Sequence, residues 1–275
     1  MSLIKSILRV VFGVIIAIPL LLYPFLYLMQ DKLIFMPRKM DNDFLDFLRK
    51  EHLYAEEVQF KTPDNVTLHG WYVKNSPENP SPLIIYFGGN AEEVSANIME
   101  IDRFKGWSLL LINYRGYGLS EGSPSEKNLF NDAILIYDTF SKRTDIDQDR
   151  IVVFGRSLGT GVAGYLASQR AIKGAILVSP YDSIRSIAQG IYPYVPVSKL
   201  LKHHFDAIAY APSIKIPMLA LIAQFDTTIS PEHSFALIEA WSGVVHQQII
   251  PNVDHNDITT GHGYWEHITR FLSSI

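Results

Sequence analysis

Ser157 stands between two glycines in Gly155-Arg156-Ser157-Leu158-Gly159, directly after the apolar run Ile151-Val152-Val153-Phe154. A G-x-S-x-G spacing at the end of a strand describes a sharp strand-to-helix turn that lifts a serine hydroxyl clear of a sheet. The backbone at such a serine is strained, and glycines two before and two after remove the bulk that would oppose it. The following helix aims its free N–H groups at the same point, where they favour developing negative charge. Nucleophilic attack by an oxygen is the chemistry this turn serves; the bland alternative is a glycine-rich turn carrying an inert serine.

A serine hydroxyl is a weak nucleophile at neutral pH, so an imidazole must take its proton and a carboxylate must orient that imidazole. Two later loops offer both groups. Asp226 lies in Ala223-Gln224-Phe225-Asp226-Thr227-Thr228-Ile229-Ser230-Pro231, just past the apolar run Met218 to Ile222. His255 lies in Pro251-Asn252-Val253-Asp254-His255-Asn256-Asp257, past the run Gln248 to Ile250. Taken singly, each is an ordinary turn or loop residue. Their joint placement, in the chain order Ser157, Asp226, His255, follows a nucleophile, acid, base sequence known for such turns. Asp182, after the run Ala175 to Val178, is the second candidate for the acid. An oxyanion hole would take one backbone N–H from Leu158 and another from about Asn90, in Gly88-Gly89-Asn90-Ala91 after the run Leu83 to Phe87. Each such donor contributes on the order of 3 kcal/mol to transition-state stabilisation.

Other chemistries fit less well. The chain has no cysteine, which excludes a thiolate nucleophile, disulfides and cysteine-ligated metals. His203-His204, and His262 with His267, lack metal-site spacing, so a metal site is not expected. Gly159-Thr160-Gly161-Val162-Ala163-Gly164 matches a dinucleotide fingerprint with Asp182 downstream, but it follows several strands instead of opening the fold. With Ser157 at the turn, these glycines fall inside the next helix, where small residues let helix and sheet approach. A net charge of −4 without a Lys/Arg block argues against a nucleic-acid partner.

The elements that must position these residues are legible as alternating patterns. Apolar runs at Leu83 to Phe87, Leu109 to Ile112, Ile151 to Phe154, Ala175 to Val178, Met218 to Ile222 and Gln248 to Ile250 alternate with helix-length amphipathic segments. That is βαβ repetition, which gives a mostly parallel sheet with helices on both faces and ligand sites at the strand ends. Before it, Val58 to Lys61 and Val66 to Val73 flank Pro63-Asp64-Asn65 and predict an antiparallel hairpin. At the N-terminus no residue from Val10 to Met29 is charged. At about 1.5 Å per residue this stretch matches a bilayer core of roughly 30 Å. A cleaved signal would want small residues ahead of its cut, whereas this run leads into Phe25-Leu26-Tyr27-Leu28-Met29. The sequence therefore predicts an uncleaved single-pass anchor, with Pro19 and Pro24 inside it. Lys5 and Arg9 precede the span and Lys32, Arg38 and Lys39 follow it, so the side of the catalytic domain is open. The expected organisation is an anchor over 1–30, a connector over 31–55 with Phe44, Leu45, Phe47 and Leu48 at helical spacing, and one α/β domain over 56–275.

Over about residues 56–275 the chain resembles the membrane-anchored serine α/β-hydrolases of the alpha/beta-hydrolase-domain type, within the wider serine-aminopeptidase-like superfamily. The likeness rests on the Ser157 turn, on Asn113-Tyr114-Arg115-Gly116-Tyr117-Gly118-Leu119-Ser120-Glu121-Gly122-Ser123-Pro124-Ser125-Glu126, on the Asp226 loop ending in Pro231, and on His255-Asn256-Asp257. It implies an α/β-hydrolase fold, a Ser157, Asp226, His255 triad, a short helical cap after the sixth strand, and ester or thioester hydrolysis without a cofactor. Two positions depart from the family pattern: Gly88 stands where a histidine is usual, and Ala223 where a glycine is usual. The cap is expected within Tyr181 to Pro212, about 181–212. Its residues Ile191, Tyr192, Tyr194, Val195, Val197, Leu200, Leu201 and Phe205 would either line an acyl pocket or only pack the cap down.

The expected protein is thus a monomeric, membrane-anchored serine hydrolase acting on small-molecule or acylated ester or thioester substrates. A peptidase or amidase of the same superfamily, and a non-catalytic anchored binding module, are the alternatives.

Overall fold

The computed structural model describes residues 2–52 and 54–275; Met1 of the expected anchor and Leu53 of the expected connector lie outside them. Eight strands form one sheet: β1 (Ala55–Lys61), β2 (Thr67–Val73), β3 (Ser81–Phe87), β4 (Ser108–Ile112), β5 (Ile146–Arg156), β6 (Gly174–Val178), β7 (Met218–Ala223) and β8 (Val245–Ile250). Their order across the sheet is β1-β2-β4-β3-β5-β6-β7-β8. The hairpin strand β2 pairs antiparallel with β1 and β4, and every later pairing is parallel.

The unbroken apolar runs follow from burial on both faces. Leu83, Ile85 and Phe87 join one core while Ile84 and Tyr86 join the other, and Ile151 and Val153 alternate with Val152 and Phe154 in the same way. A pleated strand covered on both sides has no position at which a polar residue is cheap. On the first face lie α3 (Glu126–Phe140) and α4 (Leu158–Gln169), contributing Leu129, Ile136, Val162 and Leu166. On the second lie α2 (Asn42–Glu51), a 3-10 helix over Val94–Phe104 and the last helix, Tyr264–Leu272, contributing Leu48, Ile98 and Phe271.

Close approach of α4 to the sheet explains the first of the dinucleotide-like glycines, Gly159, while Gly161 and Gly164 make room for the Tyr181 and Tyr210 side chains. A Cβ on Gly159 would fall 2.0 Å from the Phe87 carbonyl oxygen, and one on Gly155 2.5 Å from the Gly159 carbonyl oxygen. The spacing serves packing at the Ser157 turn.

The cap occupies the connection from β6 to β7, as α5 (Ile184–Ile191), α6 (Val197–Leu200) and α7 (Ala207–Tyr210). In the connector, Asp41 caps α2 by accepting the Phe44 N–H at 2.9 Å, and Leu45 and Leu48 are buried while Phe47 stays exposed. The N-terminal helix α1 (Ser2–Ile34) is, among the described residues, the one helix long and apolar enough to cross a membrane. It runs four residues past the expected boundary at residue 30. Docking on the cap extends it: Gln30 is buried, its Nε2 donates to the Leu200 carbonyl at 3.1 Å, and its Oε1 accepts the Lys202 N–H at 2.6 Å. Phe35, just beyond, enters the core of the first face. Charge at Asp31 ended the apolar stretch in the sequence, but tertiary contacts decide where the helix ends.

Candidate active site

β5 ends at Arg156, α4 begins at Leu158, and Ser157 between them has φ 51° and ψ −120°. This left-handed, strained backbone is held by its own hydrogen bonds: the Ser157 N–H donates to the Val178 carbonyl at 2.9 Å, and its carbonyl accepts from the Thr160 N–H at 2.9 Å and hydroxyl at 2.8 Å. Ser157 Oγ lies 2.9 Å from His255 Nε2, and His255 Nδ1 lies 2.8 and 3.0 Å from the two Asp226 oxygens. All three side chains are buried. An ionised carboxylate only accepts, so Nδ1 carries the imidazole proton and Nε2 is left to accept the Ser157 hydroxyl proton.

Burial alone would raise the Asp226 pKa. The hydrogen bonds from His255 and the Ile229 N–H outweigh it and hold the carboxyl below its ordinary value. Asp226 Oδ1 accepts the Ile229 N–H at 2.7 Å and the Thr228 N–H at 3.0 Å, which fixes the carboxylate before the histidine arrives. Asp254 performs the same service for the histidine loop. It accepts the His255 N–H and the Thr227 N–H, each at 2.7 Å, and so ties the loop after β8 to the loop after β7. Reading of the sequence passed over Asp254; its position immediately before His255 was the available signal. Asp182, the second candidate acid, pairs with His233 at 2.9 Å and forms no bond to His255.

Leu158 is the first residue of α4, where an N–H has no intrahelical acceptor, and among the described residues no protein group accepts from the Leu158 or Asn90 N–H. Both residues border the same cavity as Ser157. The Asn90 loop is held by side chains whose roles were not foreseen. Tyr117 donates to the Asn90 carbonyl at 2.7 Å, Tyr114 donates to the Gly88 carbonyl at 2.9 Å, and Glu92 accepts the Gly89 N–H at 2.7 Å. Tyr114 and Tyr117 belong to the 113–126 motif, which spaces them to brace this loop. Gly88 is close-packed: a Cβ there would lie 2.8 Å from Val94 Cγ1, so a histidine would require Val94 to move.

The cavity over Ser157 measures about 350 Å³, and no charged residue lines it. Ile184, Ile187, Ala188 and Ile191 of α5 recur at i, i+3, i+4 and i+7 and line it as one face, with α5 burying no residue fully. Tyr192, Val195, Val197, Leu200 and Leu201 complete the cap side. Of the other cap residues named above, Phe205 packs in the core of the first face and Tyr194 is 94% exposed.

Relatives share this architecture. An uncharacterised protein of Mycobacterium tuberculosis is 33% identical over 223 residues, covering 80% of this chain and 79% of its own. The alpha/beta hydrolase domain-containing protein WAV2 of Arabidopsis thaliana is 30% identical over 290 residues, covering 94% and 91%. This chain belongs to the α/β-hydrolase family. The family model described as alpha/beta hydrolase fold matches residues 82–211, from β3 through the cap. An uncharacterised membrane protein of Saccharomyces cerevisiae is 33% identical over 227 residues, covering 79% of each chain. Among solved structures, the Pyrococcus furiosus esterase Pf2001 superposes with a TM-score of 0.69 at 20% identity, covering 88% of this chain and 97% of the esterase. An acetyl xylan esterase from Paenibacillus superposes with a TM-score of 0.63 at 20% identity, covering 90% and 99%. At these identities the superpositions establish the hydrolase fold.

Proposed function

We propose that this α/β-hydrolase is a membrane-anchored serine hydrolase that cleaves carboxylic esters or thioesters through an acyl-enzyme. The observation that carries the reading is the continuous chain of short contacts from Ser157 Oγ through His255 to Asp226. Ser157 Oγ attacks the acyl carbonyl while its proton passes to His255 Nε2, and the charge on the carbonyl oxygen is met by the Leu158 and Asn90 N–H groups. The bond from carbonyl carbon to the leaving oxygen or sulfur then breaks, and that atom takes the proton from Nε2. Water, losing a proton to the same nitrogen, attacks the acyl-enzyme and restores Ser157 with release of the carboxylic acid. Asp226 stays ionised throughout, holding the imidazole tautomer and stabilising its charged form.

An acyl rather than a peptide substrate is favoured by the uncharged, aliphatic cavity, which offers no carboxylate to a substrate amine. The anchor reading is supported by the length and apolar composition of α1 and by the yeast relative's name. The test is a panel of nitrophenyl esters, acyl thioesters and aminoacyl amides given to the full chain in detergent, with Ser157→Ala and His255→Ala beside it. Ester or thioester turnover lost in both variants supports the reading. Turnover of amides alone, or turnover that survives both substitutions, overturns it.

A further inference from the structure

The N-terminal helix α1 also forms part of the wall of the Ser157 cavity. Leu26, Gln30, Leu33 and Ile34 fall at i, i+4, i+7 and i+8, one face of the helix, and this face borders the same cavity as Ser157. Resting on the serine-hydrolase and anchor readings, we propose that the substrate is an acyl lipid of the bilayer, and that its chain enters the Ser157 cavity directly from the membrane along this face of α1.

Three observations carry the inference. First, the cavity meets the apolar stretch inside its own length: Leu26 precedes Met29, the end of the uncharged run beginning at Val10, by about 5 Å of helix. Second, the cap reaches farther still toward the N-terminus of α1. The Tyr23 hydroxyl donates to the Tyr194 carbonyl at 3.3 Å, so the cap tip lies beside a residue upstream of Leu26. That tip is apolar and aromatic: Ile191 is 62% and Tyr194 94% exposed, with Tyr192 exposed between them. Tyrosines at such a level are the residue type enriched at membrane–water boundaries. Third, a charged cluster gathers just past the end of the apolar run. Lys202 sits over the Tyr27 ring at 4.4 Å and within 3.9 Å of Asp31, and His203 pairs with Asp31 at 3.0 Å. The polar atoms of Gln30, the one strongly polar residue on the lining face of α1, are consumed by the cap backbone.

Along this path the chain meets Leu26, then the α5 face of Ile184, Ile187 and Ile191, then Ser157. A cavity of about 350 Å³ lies at the small end of ligand pockets, which suits one chain with the rest of the lipid outside. A substrate arriving from water would gain nothing from the aromatic tip or from a pocket wall set in the apolar run.

The experiment uses the full chain in phosphatidylcholine nanodiscs, comparing hydrolysis of hexadecanoyl and butanoyl esters by wild type, Leu26→Trp and Leu28→Trp. Leu28 lies on the outward face of α1, 66% exposed. Leu26→Trp should lower hexadecanoyl hydrolysis about tenfold more than butanoyl hydrolysis, and Leu28→Trp should change neither. Equal effects of the two variants, or equal loss at both chain lengths in Leu26→Trp, overturn the proposal while leaving the serine-hydrolase reading intact. No turnover of either ester by wild type, with no uptake of a fluorophosphonate probe, overturns both. A second measurement does not depend on how Leu26→Trp folds. In Ser157→Ala protein, bilayer phosphatidylcholine with a photoreactive acyl chain should crosslink to residues 184–201; crosslinks confined to the outward face of α1 overturn the proposal.

Discussion

On the sheet side of the cavity, Ser157 is pinned by the Val178 carbonyl, Asp226 by the Ile229 N–H and the His255 N–H by the Asp254 carboxylate, whereas on the cap side α5 and α1 meet the cavity mostly through aliphatic side chains. Proton transfer is directional, and a hydrogen bond weakens steeply with distance and angle. Burial of an acyl chain is non-directional and scales with area. The first side therefore has to be over-determined, and the second only has to be apolar and of the right size. Substitutions on the sheet side should strike kcat by orders of magnitude, and substitutions on the cap side should move KM by small factors.

The largest expected contrast lies between two aspartates at neighbouring strand ends. Asp226→Asn should lower kcat on the order of 10⁴-fold, because an amide favours the wrong imidazole tautomer. Asp182→Asn, whose partner is His233, should cost less than about tenfold, through local packing and one hydrogen bond. Steady-state kinetics on any turned-over ester check the pair, and comparable losses would erase the distinction between the two strand ends.

Tyr117→Phe probes the sheet side one step back from the chemistry. It removes the bond to the Asn90 carbonyl and should lower kcat by about tenfold, with KM little changed, since about 1.4 kcal/mol of loop positioning is lost. A change in KM alone would assign Tyr117 to substrate binding instead.

The smallest effect belongs to the cap. Ile187→Ala should raise KM for long-chain esters by roughly threefold to tenfold and leave kcat within about twofold, as the chain loses contact with one or two methylene-sized groups. A kcat effect as large as that of Tyr117→Phe would show that the cap also orders the triad.

Both sides were legible in the sequence to different degrees. The strands stand out because burial on both faces forces unbroken apolar runs, and Ser157 stands out because its backbone tolerates only glycine two residues away. Asp226 and His255 were found by chain order. Asp254 was not, because a residue that holds a loop uses ordinary hydrogen bonds and carries no spacing of its own, and Tyr117 stood in a quoted motif that does not name the loop it braces. Of the aliphatic face of α5 only Ile191 was singled out in the sequence, and whether the cap residues packed or lined a cavity depended on what lay opposite. What lies opposite is α1, and the sequence drew a boundary at residue 30 because charge begins at Asp31, although the helix and its docking continue to Ile34.

Activation of Ser157 is the central claim, and its most direct measurement is mass-spectrometric mapping of a fluorophosphonate adduct on the full chain in nanodiscs at neutral pH. The account predicts an adduct on Ser157, absent in Ser157→Ala and slowed on the order of 10³-fold or more in His255→Ala. A folded wild type that takes no label, or one whose label persists in Ser157→Ala, would contradict it.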